Sequence, residues 1–198
     1  MDNSLLMIFV KNPLLGKVKQ RLAATIGDEK ALAVYNYLLR HTRATCYALY
    51  PHKAVFYSSR IDEDDLWEND EYQKFLQVGD DLGERMCNAF EQGFSLGYGA
   101  IVLIGSDCLE LNERILLEAF ERLADHDIVI GPTSDGGYYL IGMKTLYKDV
   151  FRNKSWSTES LFEETLQSIE TLGLHVHCLP RLSDIDTEED LGELKYLV

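Results

Sequence analysis

Long apolar runs are missing from this sequence. The first candidate, Leu5 to Val10, is too short to cross a bilayer or to form a signal-peptide core. Met1-Asp2-Asn3-Ser4 ahead of it carries no basic charge. The expectation is a cytoplasmic protein that does not engage a membrane. Cysteine is scarce and unpaired in spacing. Cys46, Cys87, Cys108 and Cys178 form no C-x-x-C, which argues against a zinc site or a disulfide framework. Cys46, Cys87 and Cys178 lie among apolar residues and read as small core residues. The five histidines include no H-x-x-x-H pair, and the alternation of His175 with His177 reads as a solvent-facing side of a strand. No Pro/Gly/Ser-rich linker and no internal repeat interrupts the chain. A single domain over residues 1–198 is therefore expected. Positive charge is also in short supply. With 19 Lys and Arg against 33 Asp and Glu, the formal net charge is −14. That balance opposes binding to nucleic acid or anionic lipid. It also means that an anionic substrate needs local cations or a metal.

What is present is a core. Hydrophobic residues make up 46% of the chain, enough to bury a sizeable interior. Ala100-Ile-Val-Leu-Ile104, flanked by Gly97, Gly99 and Gly105, reads as a strand covered on both faces. Leu5–Val10, Lys53–Tyr57, Asp127–Gly131 and Leu174–Leu179 are further strands. Helical spacing follows Asp28, read as an N-cap, and Asn112. A capping box is expected at Asp81/Glu84 and another at Ser160/Glu163. Thr187 reads as the cap of a last helix, with Asp190 three positions on. Asp62 to Tyr72 reads as an acidic loop anchored by Trp67. Strands alternating with helices imply βαβ units, hence an α/β fold with a mostly parallel central sheet and helices on both faces.

The chemistry sits at the ends of these strands. Asp107 follows the central strand, where open α/β sheets bind ligands, although a turn or helix cap explains an aspartate there equally well. Lys11, Gly16, Lys17, Lys19 and Arg21 form a basic loop after the first strand. Four cations in this short stretch of an acidic protein suit a phosphate chain, with a solvated basic loop as the alternative. The loop matches neither a P-loop nor a dinucleotide fingerprint. Gly79 and Asp81 precede a helix, and Asp135-Gly136-Gly137 follows another strand. Asp186 lies after the last one. Magnesium is commonly held by one or two carboxylates together with substrate phosphates. Asp107 and Asp186 could supply those carboxylates, and Lys17, Lys19 and Arg21 the phosphate contacts.

Six ordered motifs carry a family resemblance: K-N-P-x-x-G-K-V-K-Q-R-L from Lys11, G-D-D-L-G-E-R-M from Gly79, I-G-S-D-C from Ile104, G-P-T-x-D-G-G-Y-Y-L-I-G-M from Gly131, W-S-T from Trp156 and D-I-D-T-x-E-D-L from Asp184. The chain resembles the bacterial DUF2064 family, the rSAM/selenodomain-associated transferase 1 group. That group belongs to the nucleotide-diphospho-sugar transferase superfamily with the GT-A fold. The resemblance implies that Asp107 and Asp186 are the metal aspartates, with Mg²⁺ or Mn²⁺ as cofactor. Lys17 and Arg21 fall where the superfamily holds phosphates, with Lys11, Gly16, Lys19, Gly79, Asp81, Gly105 and Ser106 as further nucleotide-side candidates. Asp107 and Asp135 are the catalytic candidates. Gly136, Gly137, Trp156 and Ser157 are candidates for the acceptor side. The usual L-A-A-G-x-G-T-R-M opening is missing, and Ser106-Asp107-Cys108-Leu109 offers one carboxylate where many glycosyltransferases have Asp-x-Asp.

The leading expectation is a metal-dependent transferase that moves a glycosyl group from a nucleotide-sugar to a small acceptor. One alternative is a nucleotidyltransferase that joins an NTP to a phosphorylated acceptor. Another is a nucleotide-binding protein without turnover. Fold alone does not choose among them, and the sequence does not give the oligomeric state.

Overall fold

The computed structural model describes residues 3–196. Met1 and Asp2, part of the N-terminal stretch considered above, lie outside the described residues, as do residues 197–198. Strand β1, Ser4–Val10, is buried along its whole length, as its unbroken apolar run predicts. Around it, β2 (His52–Tyr57), β3 (Tyr72–Leu76) and β4 (Ala100–Ile104) run parallel. Strand β5 (Ile128–Pro132) pairs in parallel with β7 (Val176–Cys178). Between β4 and β5 lies β6 (Tyr138–Met143), antiparallel to both. Among the described residues the sheet thus has seven strands in the order β3-β2-β1-β4-β6-β5-β7.

The reversal at β6 matters for the site. It brings the start of β6, led by Gly136-Gly137, to the same edge as the carboxyl ends of β1, β4 and β5. Helices cover both faces. On one, α2 (Asp28–Tyr47) and α4 (Glu113–Arg122) pack Tyr35, Leu39, Ile115 and Leu116 on the sheet. On the other, α3 (Leu82–Ser95) and α5 (Leu161–Thr171) supply Met86, Phe90 and Ile169. Each such side chain, fully buried, contributes about 1.5–3 kcal/mol. No helix among the described residues is long and apolar enough to cross a membrane.

Several local expectations need correction. The basic loop is shorter than read, because Gln20–Ile26 forms helix α1 and carries Arg21. This seven-residue helix lacks a side-chain cap, so its sequence gives no start signal. Asp28 is the first residue of α2, and Gly27 occupies the cap position without a side-chain hydrogen bond. Strand β3 emerges just where an acidic loop was expected to end. Its burial is mixed because it is an edge strand. At α3, Asp81 does cap, accepting from the Glu84 amide at 2.8 Å, but Glu84 reaches the Asp80 amide rather than that of Asp81. Before α5 the partner of Ser160 is Glu164, not Glu163. Thr187 does not cap; Asp190 accepts from the Thr187 amide and hydroxyl. The segment after it, Glu189–Tyr196, is 3₁₀ rather than α and breaks at Gly192. Cys178 is exposed on edge strand β7, and Cys87 is only half-buried.

Candidate active site

The loop after β1 climbs through Gly16, whose φ of 69° favours glycine, to Lys19. Lys19 is a non-glycine residue held in the left-handed region (φ 48°, ψ 47°) immediately before α1. That conformation costs roughly 1–2 kcal/mol and persists only where the surroundings fix it. The side chain supplies the reason. Its ammonium lies 3.0 Å from Asp107 Oδ2 and 3.0 Å from Asp186 Oδ1, and the lysine side chain is 3% exposed. Burial pulls the Lys19 pKa down, but the two carboxylates outweigh it and hold the group above its ordinary value. Arg21, largely exposed on α1, reaches Asp186 Oδ2 at 3.7 Å.

Backbone pairing explains why residues 79 positions apart meet (186 − 107). The segment after β7 bridges the chain just beyond β5 through Leu182 and Thr133, then the loop after β4 through Asp184 and Cys108. The Ile185 amide donates to the Asp107 carbonyl at 3.1 Å. In extended chain, alternate side chains share a side. Ile185 is buried among α1, α2 and the C-terminal turns, while Asp184 and Asp186 both line the cleft. Asp190 fixes the end of this segment by accepting from the Asp186 amide at 3.0 Å. Burial pushes the Asp184 carboxyl up to about 7, assisted by the charges of Asp107, Asp135 and Asp186 and opposed by Lys19.

The resulting cleft has a volume of about 610 Å³. Of the residues singled out in the sequence, Lys11, Lys17, Lys19, Arg21, Asp107, Asp135, Gly137, Ser157 and Asp186 line it. Asp135 is held by the Thr133 hydroxyl and by the Gly137 amide at 3.1 Å, both donating to Oδ1. The other candidates support the walls. Ser106 is buried and meets the Tyr35 hydroxyl at 3.3 Å, and that hydroxyl accepts from the Lys11 amide at 2.8 Å. Gly79 and Asp81 shape the start of α3, where a Cβ on Gly79 would stand 2.7 Å from Glu84 Cβ. Gly105 donates its amide to the Tyr139 carbonyl at 3.1 Å.

Gly136 and Trp156 position a strap, residues 154–160, that closes one end. A Cβ on Gly136 would stand 2.1 Å from the Glu159 carbonyl oxygen, and its φ is 89°. Trp156 lies against Gly83, where a Cβ would meet the indole at 2.3 Å. Ser157, in the left-handed region at φ 64°, faces the cleft from this strap. Sequence reasoning missed Asp184, Tyr35, Leu82, Tyr138 and Leu161 as cleft residues. The D-I-D alternation was the available signal for Asp184.

Asp107 and Asp186 are the carboxylates that could hold a divalent cation, in place of the Lys19 ammonium. Two carboxylate oxygens already converge on one positive centre, and both side chains remain more than a third exposed. Among the described residues no three His, Cys, Asp or Glu side chains are grouped to cage a metal, so substrate oxygens would complete its shell, as magnesium sites commonly do.

Comparisons with known proteins bear on the fold and the family. A crystal structure of a candidate nucleotide-diphospho-sugar transferase from Desulfovibrio desulfuricans G20 is 33% identical, with a TM-score of 0.89 over 98% of this chain and 87% of that one. The fold is shared more distantly with 4-diphosphocytidyl-2C-methyl-D-erythritol synthase from Anaerococcus prevotii DSM 20548 (12% identity, TM-score 0.62, 99% and 96% covered). It is also shared with the inositol-1-phosphate CTP transferase from T. maritima (16% identity, TM-score 0.52, 99% and 94% covered). No curated protein matches the sequence. Residues 42–158 match the family described as "Uncharacterized protein conserved in bacteria (DUF2064)", and the chain belongs to that family.

Proposed function

We propose that the chain is a transferase that moves a glycosyl group from a nucleotide-sugar to a small acceptor. The observation that carries this reading is the meeting of Asp107 and Asp186 on one cation beside Lys17 and Arg21. Lys17 and Arg21 bind the diphosphate oxygens through charge-assisted hydrogen bonds. Asp107 and Asp186 would hold Mg²⁺ or Mn²⁺, which supplies charge neutralisation to the departing diphosphate. Lys19 keeps both carboxylates aimed into the cleft in the free protein. Asp135, oriented by Thr133 and Gly137, takes the proton from the attacking acceptor hydroxyl. The strap through Ser157 limits the acceptor end.

A second reading, nucleotidyl transfer from an NTP to a phosphorylated acceptor, draws on one feature. Lys11, Lys17, Lys19 and Arg21 line the cleft together, a density of charge suited to a triphosphate. The two readings release different products. The protein is incubated with Mn²⁺ and either UDP- and GDP-sugars or the four NTPs, with a panel of acceptors, and nucleoside diphosphate and pyrophosphate are measured. Nucleoside diphosphate from a nucleotide-sugar is expected; pyrophosphate from an NTP would instead establish the second reading. If no nucleotide raises Tm or yields product, both fail.

A further inference from the structure

Beside the cleft lies a second, smaller cavity of about 110 Å³. It shares Leu82, Tyr138 and Leu161 with the cleft, and Phe9, Met86 and Trp156 contribute to its remaining walls. The composition of the two spaces differs sharply. The cleft is lined by carboxylates and ammonium groups, the annex by aliphatic and aromatic side chains. Apolar cavities of roughly this size stay dry and take up benzene-sized groups. Two features of the shared residues point to a ligand. Leu82 leaves 43% of its surface exposed at the first position of α3. Among the described residues the buried Tyr138 hydroxyl has no hydrogen-bond partner, a costly state for a polar group. Burial pushes its pKa up, so it stays a protonated donor.

We infer that the annex is an acceptor subsite that takes a small apolar group, about the size of a phenyl or branched C4–C5 unit. The acceptor is thus amphipathic: its reacting oxygen lies in the charged cleft and its apolar part passes between Leu82 and Leu161. This assignment rests on the transferase reading above, which makes the occupant an acceptor. A nucleobase is a poor occupant. Its several ring nitrogens and exocyclic groups would lose their hydrogen bonds to water, and the aliphatic and aromatic walls offer few in return beyond the Tyr138 hydroxyl. The strap side also carries Trp156, whose indole forms a wall of the annex rather than of the cleft.

The test compares methyl phosphate with benzyl phosphate by isothermal titration calorimetry. The wild-type protein should bind benzyl phosphate at least about tenfold more tightly, as expected for moving an apolar ring out of water. Leu161→Phe fills the annex and should bring the ratio towards one. Leu82→Asp changes only the exposed rim, so it keeps the test open if Leu161→Phe does not fold, and it too should cut the preference. Equal binding of the two probes by the wild type overturns the inference, as does an undiminished preference in a folded variant. Loss of the preference under saturating cytidine also overturns it, by making the annex a base pocket. Nucleotide-sugar and CTP binding are measured on the same preparation. A preserved benzyl preference with no nucleotide binding would overturn the proposed function and leave the apolar subsite standing.

Discussion

The two ends of the cleft are built on different physics. At the charged end, side chains from β-strand ends are drawn together by opposite charge, with Lys19 between Asp107 and Asp186. At the strap end, the structure depends on side chains that are absent. Gly83 and Gly136 let Trp156 and Glu159 approach the backbone to distances no Cβ permits. The charged end should therefore respond to charge and pH, and the strap end to volume.

Substitution can break this contrast. The largest effect is expected from Gly136→Ala. It combines a contact 2.1 Å from the Glu159 carbonyl with a φ of 89°, costing roughly 3–4 kcal/mol. Tm should fall by roughly 10 °C. A calorimetric Tm within about 2 °C of wild type would show that the strap yields easily. Lys19→Met comes next. It removes the only positive group bridging Asp107 and Asp186 among the described residues. A fully buried pair would lose about 3–5 kcal/mol, but both carboxylates are partly solvated, so about 2 kcal/mol is expected. Thermal melts should show a loss of about 4–8 °C, partly restored by added Mn²⁺. An unchanged melt would mean that the ion pairs contribute nothing net.

Arg21→Ala sharpens the comparison at the level of ligand. It should weaken nucleotide binding about tenfold with Tm nearly unchanged, the usual worth of one charge-assisted contact; calorimetric titration with CTP or UDP-glucose decides. The pH response of Asp184 tests the charged end without any ligand. Its folded-state pKa is raised from 3.8 to about 7, so the folded chain binds this proton more tightly than the unfolded one. The stability it contributes is present at low pH and is lost as pH rises through about 7. Asp184→Asn should therefore lose less stability than wild type between pH 5 and pH 8, a range chosen to bracket the shifted value. Parallel Tm–pH curves in metal-free buffer would contradict that assignment.

The contrast also explains what the sequence revealed. Fully buried strands such as β1 and β4 announce themselves, because a strand covered on both faces has nothing but apolar residues. Asp107 and Asp186 could be paired across the chain because each follows a strand. Helix α1 could not, being short and uncapped, and neither could β3, whose burial at the sheet edge follows no clean alternation. Asp184 was overlooked although it shares an extended segment with Asp186; the register became evident only with Ile185 packed behind them. The strap was the least legible part. Trp156 and Gly83 are 73 positions apart (156 − 83), and a glycine gives no hint of which ring will rest on it.

The left-handed turn at Lys19 has a consequence for ligand capture. The ammonium acts as a tethered counter-ion, so the mutual repulsion of two neighbouring anions is quenched when the polypeptide folds. An incoming phosphate or metal then meets donors that are already aligned, and little of its binding free energy is spent on arranging them.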